Sequence, residues 1–528
     1  MSRPNILFVM TDQQQAASLS VYGNEDVRTP GAELLAEHGV VVDGHICNYP
    51  ACTPARATVH TGRYPHTTGV RALHIHLPER EISLPLVLRS AGYETALIGK
   101  NHVFADGSVV SQFRDGGLAL RDWPRRFREL PSLTTQLADE GALVDVRPQL
   151  FDSWFTADHS APEGAEYDEL RAFSSQAWLW RSHAAVATTP FPPERCTTDV
   201  LRQRAEAFIR ERRSSERPWF LWLSFPDPHN PYQAPEPYAS MYNPDDVAIP
   251  PVDDLEGKPE RQRIASRMSG MHTATEDDVR RLMAMQLGQV SFIDNALRSI
   301  LDVLEQSGLD RRTIVAFTTD HGGYVGDHGA VHKSVAFYDA LIRLPFVLSW
   351  PGTLAARRLE RGFLEQVDLM PTLLDLAGVP VPPGVQGASM AGALAGTSAL
   401  RERAFAECGE QRDPVSWDDL PFLPDGPFDA RFFGWDGFVE GWLGKGKMVR
   451  NDDWKYAWYA NGDVELYDLV ADPEELVNLA GRPEHRALEE TFRDQLLEFC
   501  VATEDPLPLH GWHVAMDDVL TGNFPWPD

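Results

Sequence analysis

Short apolar runs alternate with amphipathic stretches along most of the chain. Apolar runs that predict buried strands lie at 5–10, 95–98, 219–224, 313–318 and 346–349. Stretches with helical spacing lie at 30–37, 84–91, 198–213 and 276–306. Because strands buried on both faces read as continuous apolar runs, this alternation predicts an α/β fold. We expect a mostly parallel central sheet with helices on both faces.

Polar clusters follow three of the predicted strands. "TDQQ" follows the first, "FPDPHNPY" follows the strand at 219–224, and "TTDHGGYVGDHG" ends the strand at 313–318. In open α/β sheets, sites gather at the carboxyl ends of the strands. We therefore expect these clusters to share one site.

The length of 528 residues exceeds what one core usually supports, so we predict two domains. The first, at 1–395, is the α/β domain that contains the three polar clusters, and its irregular tract at 104–195 is expected to be an insertion that shapes the pocket. The second, at 396–528, is a smaller α+β domain with a hairpin turning at Asn461-Gly462 and a helix near 484–501. Its apolar tail is expected to dock on the body or on a neighbouring subunit, which favours a homo-oligomer.

The composition restricts which binding partners and which cellular compartment we expect for this protein. Asp and Glu number 77 against 48 Lys and Arg, and the net charge of −29 excludes nucleic acid and anionic membranes as expected partners. The first apolar run has no small-residue cleavage site and is too short to span a bilayer, so we expect a cytoplasmic protein. Five scattered cysteines without a CxxC motif fit neither a disulfide framework nor a zinc site. Buried packing is the expected role of Cys47, Cys196, Cys408 and Cys500.

The fifth cysteine lies in the stretch "ACTPARATVHTG" at 51–62. Pro54 suits the first turn of a helix, which places Cys52 at the helix N-terminus. The free amides and the dipole there favour an anion, and Arg56 adds a fixed positive charge one turn later. The stretch predicts an anion pocket around a sulfur atom.

Two pairs at strand ends carry the ligand types of a divalent cation. Asp12-Gln13 and Asp320-His321 each place an oxygen donor and a second ligand just past a buried strand. Carboxylate and amide oxygens suit calcium, magnesium or manganese, whereas zinc prefers more His or Cys. Either pair alone is better explained by an Asp that caps the following helix, which is a common role. Two such pairs together with Cys52 favour a metal site.

A basic group completes the candidate chemistry. Its members are Arg56, Lys100, His102, His229 and Lys333. Each of these types alone at a strand end is usually a solvated or hydrogen-bonded side chain. Together in a dry pocket they would stabilise charge on the oxygens of a sulfuryl or phosphoryl group, and a histidine or lysine would protonate the departing oxygen.

At these residues the chain resembles the sulfatases of the alkaline phosphatase superfamily. "CTPAR" followed by "TGRYPHTTGV" is similar to the family's Cys-x-Pro-x-Arg signature. Further similar segments, in family order, are "NILFVMTDQQ", "GYETALIGKNH", "PDPHNPY", "TTDHGGYVGDHG", "RLPFVLSWPG" and "VDLMPTLLDLAGVP". The likeness covers about residues 4–390, and a segment near 453–480 resembles the family's C-terminal sheet.

The resemblance implies a role for Cys52. In this family the corresponding cysteine is oxidised by a formylglycine-generating maturation enzyme, and the hydrated aldehyde, a geminal diol, is the nucleophile. Pro54 and Arg56 then belong to the recognition sequence, and Arg56 also holds the hydrate. A geminal diol can release sulfate by collapsing to the aldehyde, which a thiolate cannot do.

The resemblance also implies the remaining roles. Metal-ligand positions fall on Asp12, Gln13, Cys52, Asp320 and His321. Many relatives carry a second Asp in place of Gln13 and an Asn in place of His321, so the single divalent cation is calcium or else manganese or magnesium. Residues that bind the sulfate and assist the leaving group fall on Lys100, His102, His229 and Lys333. His229 and Lys333 are the favoured acids.

Two alternatives to a sulfatase of small-molecule sulfate esters stay open. A phosphonate monoester or phosphodiester hydrolase would use the same formylglycine, but those relatives typically lack the pair formed here by Lys100 and His102. A non-catalytic binding protein on this fold is the remote alternative, since no member of the site is missing. Aryl, alkyl and sugar sulfates are all candidate substrates. Expected pocket walls are His66, His74, His76 and the aromatic residues Trp123, Phe127, Trp154 and Phe155.

Overall fold

The computed structural model describes residues 3–104, 147–178, 186–409 and 444–504, apart from 74, 79–80, 160, 253–254, 270, 272–273 and 335. The strands are β1 (Asn5–Thr11), β2 (Gly39–Val42), β3 (His45–Ile46), β4 (Glu94–Gly99), β5 (Ser153–Thr156), β6 (Val186–Thr188), β7 (Trp219–Ser224), β8 (Tyr232–Ala234), β9 (Thr313–Thr319), β10 (Tyr324–Val325), β11 (Val331–His332), β12 (Arg343–Leu344), β13 (Phe346–Ser349), β14 (Arg357–Leu359), β15 (Leu364–Glu365), β16 (Ala404–Cys408), β17 (Gly446–Arg450), β18 (Trp454–Tyr459) and β19 (Val464–Asp468). The α-helices are α1 (Pro30–Glu37), α2 (Cys52–Thr61), α3 (Pro65–Thr68), α4 (Leu84–Ser90), α5 (Arg147–Leu150), α6 (Asp168–Trp178), α7 (Thr197–Glu211), α8 (Glu260–Met268), α9 (Glu276–Gln306), α10 (Asp339–Ile342), α11 (Leu369–Leu376), α12 (Ala391–Ala395) and α13 (Arg486–Thr503).

The largest sheet has the strand order β14-β2-β13-β9-β1-β7-β4-β5. Only β13 runs antiparallel to its neighbours among these strands, so the prediction of a mostly parallel sheet is confirmed. The carboxyl ends of β9, β1, β7 and β4 therefore meet at one edge of the sheet. This edge is where the polar clusters of the sequence lie.

The first strand shows why an uninterrupted apolar run forms the centre of this sheet. Every residue of β1 is buried. Ile6, Phe8 and Met10 pack into the core on one face, and Leu7 and Val9 pack into the core on the other face. Because successive side chains of a strand point to opposite faces, a strand covered on both sides needs apolar residues at every position.

Helices cover both faces of the sheet. The longest, α9, begins with a capping box in which Thr275 and Asp278 each satisfy the other's backbone N–H. Its residue Asp294 is buried and accepts hydrogen bonds of 2.7 Å from the backbone N–H groups of Gly31 and Ala32, at the first turn of α1. This carboxylate thus supplies acceptors to a helix N-terminus whose own N-cap residue, Thr29, makes no side-chain cap.

The tract at 104–195 contains regular structure that the sequence did not indicate. Residues 105–146 and 179–185 lie outside the described residues. Strand β5, however, pairs in parallel with β4 at the edge of the main sheet, and α6 follows it. The expectation of an irregular tract was wrong here because β5 has only four residues and is half exposed, with Trp154 39% exposed.

The C-terminal part forms a separate antiparallel sheet in the order β16-β17-β18-β19. The predicted hairpin at Asn461-Gly462 connects β18 to β19, and Gly462 has the positive φ of 92° that the turn requires. Helix α13 packs on this sheet through Phe492 and Leu496. The smaller C-terminal domain is confirmed, whereas its boundary at 395/396 stays a prediction, and the tail from residue 505 lies outside the described residues. Among the described helices, none combines the length and apolarity needed to cross a bilayer.

Candidate active site

Residues from four neighbouring strand ends converge at the carboxyl edge of the main sheet. Asp12 follows β1, Lys100 follows β4, Ser224 ends β7 and Asp320 follows β9. All four side chains are completely buried. The shared edge of parallel strands thus brings together residues that are more than 300 positions apart in the chain.

Cys52 is the first residue of α2, directly after the extended Ala51, as the helix start predicted for it requires. Its Sγ lies 3.1 Å from Nε2 of His321, 3.3 Å from Nζ of Lys333 and 3.8 Å from Oδ1 of Asp12. Burial and the Asp12 carboxylate raise the pKa of the Cys52 thiol, but Lys100, Lys333 and His321 outweigh them, so the net pKa is lowered. The surroundings of the sulfur therefore favour an anion.

Arg56 lies one turn later on α2 and is completely buried. Its Nε donates to Oδ2 of Asp320 at 2.7 Å, and its Nη2 donates to Oδ2 of Asp12 at 3.1 Å. Its Nη1 donates to Oγ of Ser224 at 2.7 Å and to the carbonyl of Lys100 at 3.2 Å. The guanidinium thus ties the ends of four strands together and neutralises two buried carboxylates, which could not stay charged without such a partner.

A cluster of metal-ligand types surrounds Cys52. One ligand atom from each of Asp12, Cys52, Asp320 and His321 lies within 4.8 Å of the others. Burial raises the pKa of Asp12, but the positive charges of Lys100 and Arg56 lower it by more. The net pKa is below its usual value, so the carboxylate is charged. His321 donates from Nδ1 to the carbonyl of Gly322 at 2.6 Å, so Nε2, which faces Cys52, is the ring nitrogen that a cation would contact.

Gln13 adds an independent observation that fits a cation. Its Nε2 donates to the hydroxyl of Tyr232 at 3.4 Å, whereas its buried Oε1 has no hydrogen-bond partner among the described residues. A side chain on Gly323 would overlap with the aliphatic part of Gln13, so the glycine leaves the space in which Gln13 lies. Two carboxylates, an amide oxygen and an imidazole suit Ca²⁺, Mn²⁺ or Mg²⁺.

Two lysines and the imidazole of His229 lie around Cys52. Lys100 is completely buried and its ammonium contacts the carboxylate of Asp12. Lys333 lies 3.3 Å from Nε2 of His229, and His229 has its Nδ1 2.7 Å from the carbonyl of Asn230. Burial, His159 and the two lysines hold the pKa of His229 well below its usual value, so this imidazole is neutral.

The sequence interpretation missed two residues of this site. His159 follows β5 and has its Nε2 2.9 Å from Nζ of Lys100. Ser224 ends β7 and accepts from Arg56. A polar residue at the end of an apolar strand was a usable signal for Ser224, whereas nothing in the sequence around His159 distinguishes it from other histidines.

Most residues predicted for the site do come together there. They are Asp12, Gln13, Cys52, Arg56, Lys100, His229, Asp320, His321 and Lys333. His102 lies one ring further out, edge-on to His159 with 5.7 Å between the ring centroids. His66, expected to line the pocket, contacts Glu407 and the carbonyl of Thr503 at the C-terminal end of α13. His74, Trp123 and Phe127 lie outside the described residues.

Comparison with known proteins agrees with this geometry. The sulfatase family profile matches residues 4–379. An arylsulfatase of Clostridium perfringens is 26% identical over 94% of this chain and 94% of its own length. A multifunctional alkaline phosphatase superfamily protein of Trinickia caryophylli is 26% identical over 97% of this chain and 98% of its own length. The structure of a phosphonate monoester hydrolase from Silicibacter pomeroyi superposes with a TM-score of 0.74 at 21% identity, covering 95% of this chain and 96% of that one.

The fold and the match together define a hydrolase of the alkaline phosphatase superfamily. Within that class the chain belongs to the sulfatase family, whose members hydrolyse sulfuric esters. The resemblance read from the sequence motifs is thereby confirmed.

Proposed function

We propose that this protein hydrolyses sulfate monoesters of small alcohols or phenols, in the manner of an arylsulfatase, with Cys52 converted to formylglycine. One observation carries the proposal: Cys52 lies at a helix N-terminus, between a cation-type ligand cluster and two lysines, with its sulfur 3.3 Å from Lys333 and 3.1 Å from His321. The side chain at position 52 therefore lies among positive groups that can stabilise the negative charge on the oxygens of a sulfuryl group during its transfer.

Asp12, Gln13, Asp320 and His321 would hold the divalent cation, and the orphaned Oε1 of Gln13 supports this set. The cation would supply positive charge to the sulfate oxygens and to the side chain at position 52. Formylglycine at position 52 would supply a hydroxyl nucleophile from its hydrated aldehyde. Arg56 holds Asp12 and Asp320 in place for the cation, because its guanidinium donates to both carboxylates.

The two lysines have different tasks in this proposal. Lys100 is completely buried against Asp12 and donates to oxygens of the transferred group. Lys333 is only partly buried and carries a proton on Nζ, next to the unprotonated Nε2 of His229. Lys333 would give this proton to the departing oxygen as the sulfur–oxygen bond breaks.

Hydrolysis of phosphonate monoesters or phosphodiesters is the second candidate. The Gln13 and His321 ligand types favour it, and so does the likeness to a multifunctional superfamily protein. We rank it second because the site also contains the buried Lys100 and the nearby His102, which suit the three non-bridging oxygens of a sulfate monoester, whereas a phosphodiester or phosphonate monoester has two.

One panel tests the proposal. The protein is produced together with a formylglycine-generating maturation enzyme, and the mass of the peptide that contains residue 52 gives the converted fraction. Values of kcat/KM are then measured for 4-nitrophenyl sulfate, bis(4-nitrophenyl) phosphate and a 4-nitrophenyl phosphonate. A higher value for the sulfate supports the proposal, and a higher value for either phosphorus ester replaces it with the second candidate. The cytoplasmic location and the homo-oligomer stay predictions.

A further inference from the structure

Among the residues that the structure describes, His159 is the one imidazole near Cys52 that neither the sequence motifs nor the proposed roles use. It lies in the short segment between β5 and α6, on the tract that was expected only to shape the pocket. Its Nε2 is 2.9 Å from Nζ of Lys100. An ammonium group can only donate, so Nε2 of His159 is the acceptor and the ring proton lies on Nδ1.

Neighbouring rings fix the orientation of His159. It stacks on His229 with 3.9 Å between centroids and an interplanar angle of 23°. On another side it meets His102 nearly perpendicularly, at 5.7 Å. Burial and the positive charges of Lys100 and Lys333 hold its pKa well below the usual value, which agrees with a neutral acceptor. A ring held on two sides keeps its acceptor atom in one place.

Lys100 has two fixed contacts as a result. One is the carboxylate of Asp12 and the other is Nε2 of His159. Asp12 is also the shared acceptor of Arg56, so it alone leaves the direction of the flexible lysine chain undetermined. The second acceptor sets the direction in which the remaining N–H of Lys100 points.

A cation between Asp12, His159 and His229 is another conceivable use, since one ligand atom from each lies within 4.8 Å of the others. Both imidazole Nε2 atoms, however, already face ammonium groups, from Lys100 and Lys333. A further cation would meet these two positive charges at short range. The geometry therefore favours a hydrogen-bonding role for His159.

We propose that His159 is a positioning residue that holds the Lys100 ammonium in place for the oxygens of the transferred group. The inference rests on the proposed sulfatase function. It extends the site to the segment after β5, so that this segment contributes to the rate as well as to the shape of the pocket.

A double-mutant cycle tests the proposal. The variants are His159→Phe, which keeps an aromatic ring but no acceptor, His159→Gln, which keeps an acceptor, Lys100→Ala, and Lys100→Ala combined with His159→Phe. We expect His159→Phe to lower kcat/KM for 4-nitrophenyl sulfate by about tenfold or more, and His159→Gln to restore part of the loss. In the Lys100→Ala background, His159→Phe should change kcat/KM by less than about threefold, because the residue acts through Lys100.

Leaving-group dependence shows whether His159 acts on the transferred group or on the departing oxygen, whereas the cycle and the rescue by His159→Gln separate positioning from a merely structural role. With a series of substituted phenyl sulfates, the loss in His159→Phe should be the same for good and poor leaving groups, since Lys100 acts on the transferred group. Melting temperature, metal content and formylglycine fraction are measured for every variant, so that variants are compared only where these agree. If His159→Phe does not fold, His159→Ala takes its place. Glu166→Gln changes an exposed side chain on the same tract, so it serves as the control and should leave kcat/KM unchanged.

Three results would overturn the inference: wild-type kcat/KM in His159→Phe, equal losses in both backgrounds, or a loss that grows with leaving-group pKa. Each of these leaves the wild-type sulfatase activity intact, so the positioning role alone fails. Absence of sulfate hydrolysis by fully converted wild-type protein would instead reject the proposed function on which it rests.

Discussion

Lys333 places its ammonium nitrogen 3.3 Å from Nε2 of His229. Since the ammonium donates, Nε2 of His229 is the acceptor, and the proton of this imidazole lies on Nδ1, which donates to the carbonyl of Asn230 at 2.7 Å. The two residues were equally favoured as acids by the sequence, but the pair holds its transferable proton on Lys333. His229 acts as the neutral partner of that lysine.

Removal of Lys333 should therefore lower kcat by a larger factor as the leaving group becomes poorer. We expect Lys333→Ala to lower kcat for phenyl sulfate by about 10²–10⁴-fold, and to have a much smaller effect for 4-nitrophenyl sulfate, whose phenolate needs less protonation. Lys100→Ala should lower both by similar factors. The measurement is a plot of log kcat against leaving-group pKa for the three proteins, and equal slopes would contradict the assignment of Lys333.

Conversion of Cys52 should be needed for turnover but not for folding. Cys52→Ala is expected to lose nearly all sulfatase activity while its melting temperature stays close to that of the unconverted wild-type protein. The side chain is small and its replacement removes little buried volume. Activity comparable to wild type in Cys52→Ala would rule out the proposed nucleophile.

The orphaned oxygen of Gln13 predicts a specific loss of metal. Gln13→Ala should weaken binding of the divalent cation by at least about tenfold, because it removes one ligand oxygen. Gln14→Ala is the matched control, since the neighbouring amide bonds to Thr11 and Ser18 instead. Isothermal titration with Ca²⁺ and Mn²⁺ gives both affinities, and an equal effect of the two changes would refute the ligand role of Gln13.

Replacing two glycines of similar φ by alanine distinguishes the cost of backbone strain from the cost of steric overlap. Gly99 has φ 105° and Gly92 has φ 93°. A Cβ on Gly99 would overlap with the carbonyl oxygen of Ser224, whereas a Cβ on Gly92 would meet nothing within 4 Å. We expect Gly92→Ala to cost about 1–2 kcal/mol of unfolding free energy and Gly99→Ala more than about 4 kcal/mol. Urea denaturation of both variants measures the difference, and similar costs would show that the strands can move apart.

Buried His45 predicts a loss of stability in acid. Burial lowers its pKa from 6.5 to about 4, against the opposing hydrogen bond to the carbonyl of Leu364. The folded state thus binds a proton on His45 more weakly than the unfolded state does. The contribution of neutral His45 to the unfolding free energy is therefore complete above pH 6.5 and declines as the pH falls toward 4. Between pH 7 and pH 5 the loss from this group is about 2 kcal/mol.

The check is the unfolding free energy at pH 7 and at pH 5. His45→Phe should show a smaller drop than the wild type by that amount, whereas His38→Gln, at an exposed position, should show the wild-type drop. An unchanged drop in His45→Phe would mean that His45 is protonated with equal ease in both states.

Strand positions and most of the site were predictable because both follow from local chain patterns. The apolar runs became β1, β4, β7, β9 and β13, with every end within one residue of the prediction. Parallel strands share a carboxyl edge, so polar residues just beyond them had to meet. The reversed direction of β13 was not predictable, since a run of four apolar residues reads the same in either orientation.

Long-range partners account for what the sequence could not predict. His159 enters the site only because the short β5 pairs with β4 at the sheet edge, and its four residues carry a weak pattern. Arg56 was expected to face an anion at the helix start, but Asp12 and Asp320 take up its donors. Which acceptor a buried guanidinium meets depends on the meeting of distant strands, and no local pattern encodes that.

The central position of β1 has a consequence for the order of events during synthesis. Asn5 pairs with Thr313, so the middle of the sheet cannot close until most of the chain has left the ribosome. Every residue of α2 is buried in the finished fold, including Cys52, Pro54 and Arg56. Until β9 is made, this segment is not yet enclosed by the finished sheet and its helices. The proposed conversion of Cys52 would therefore have to precede the closure of the sheet, because a maturation enzyme added to folded protein would find residue 52 buried.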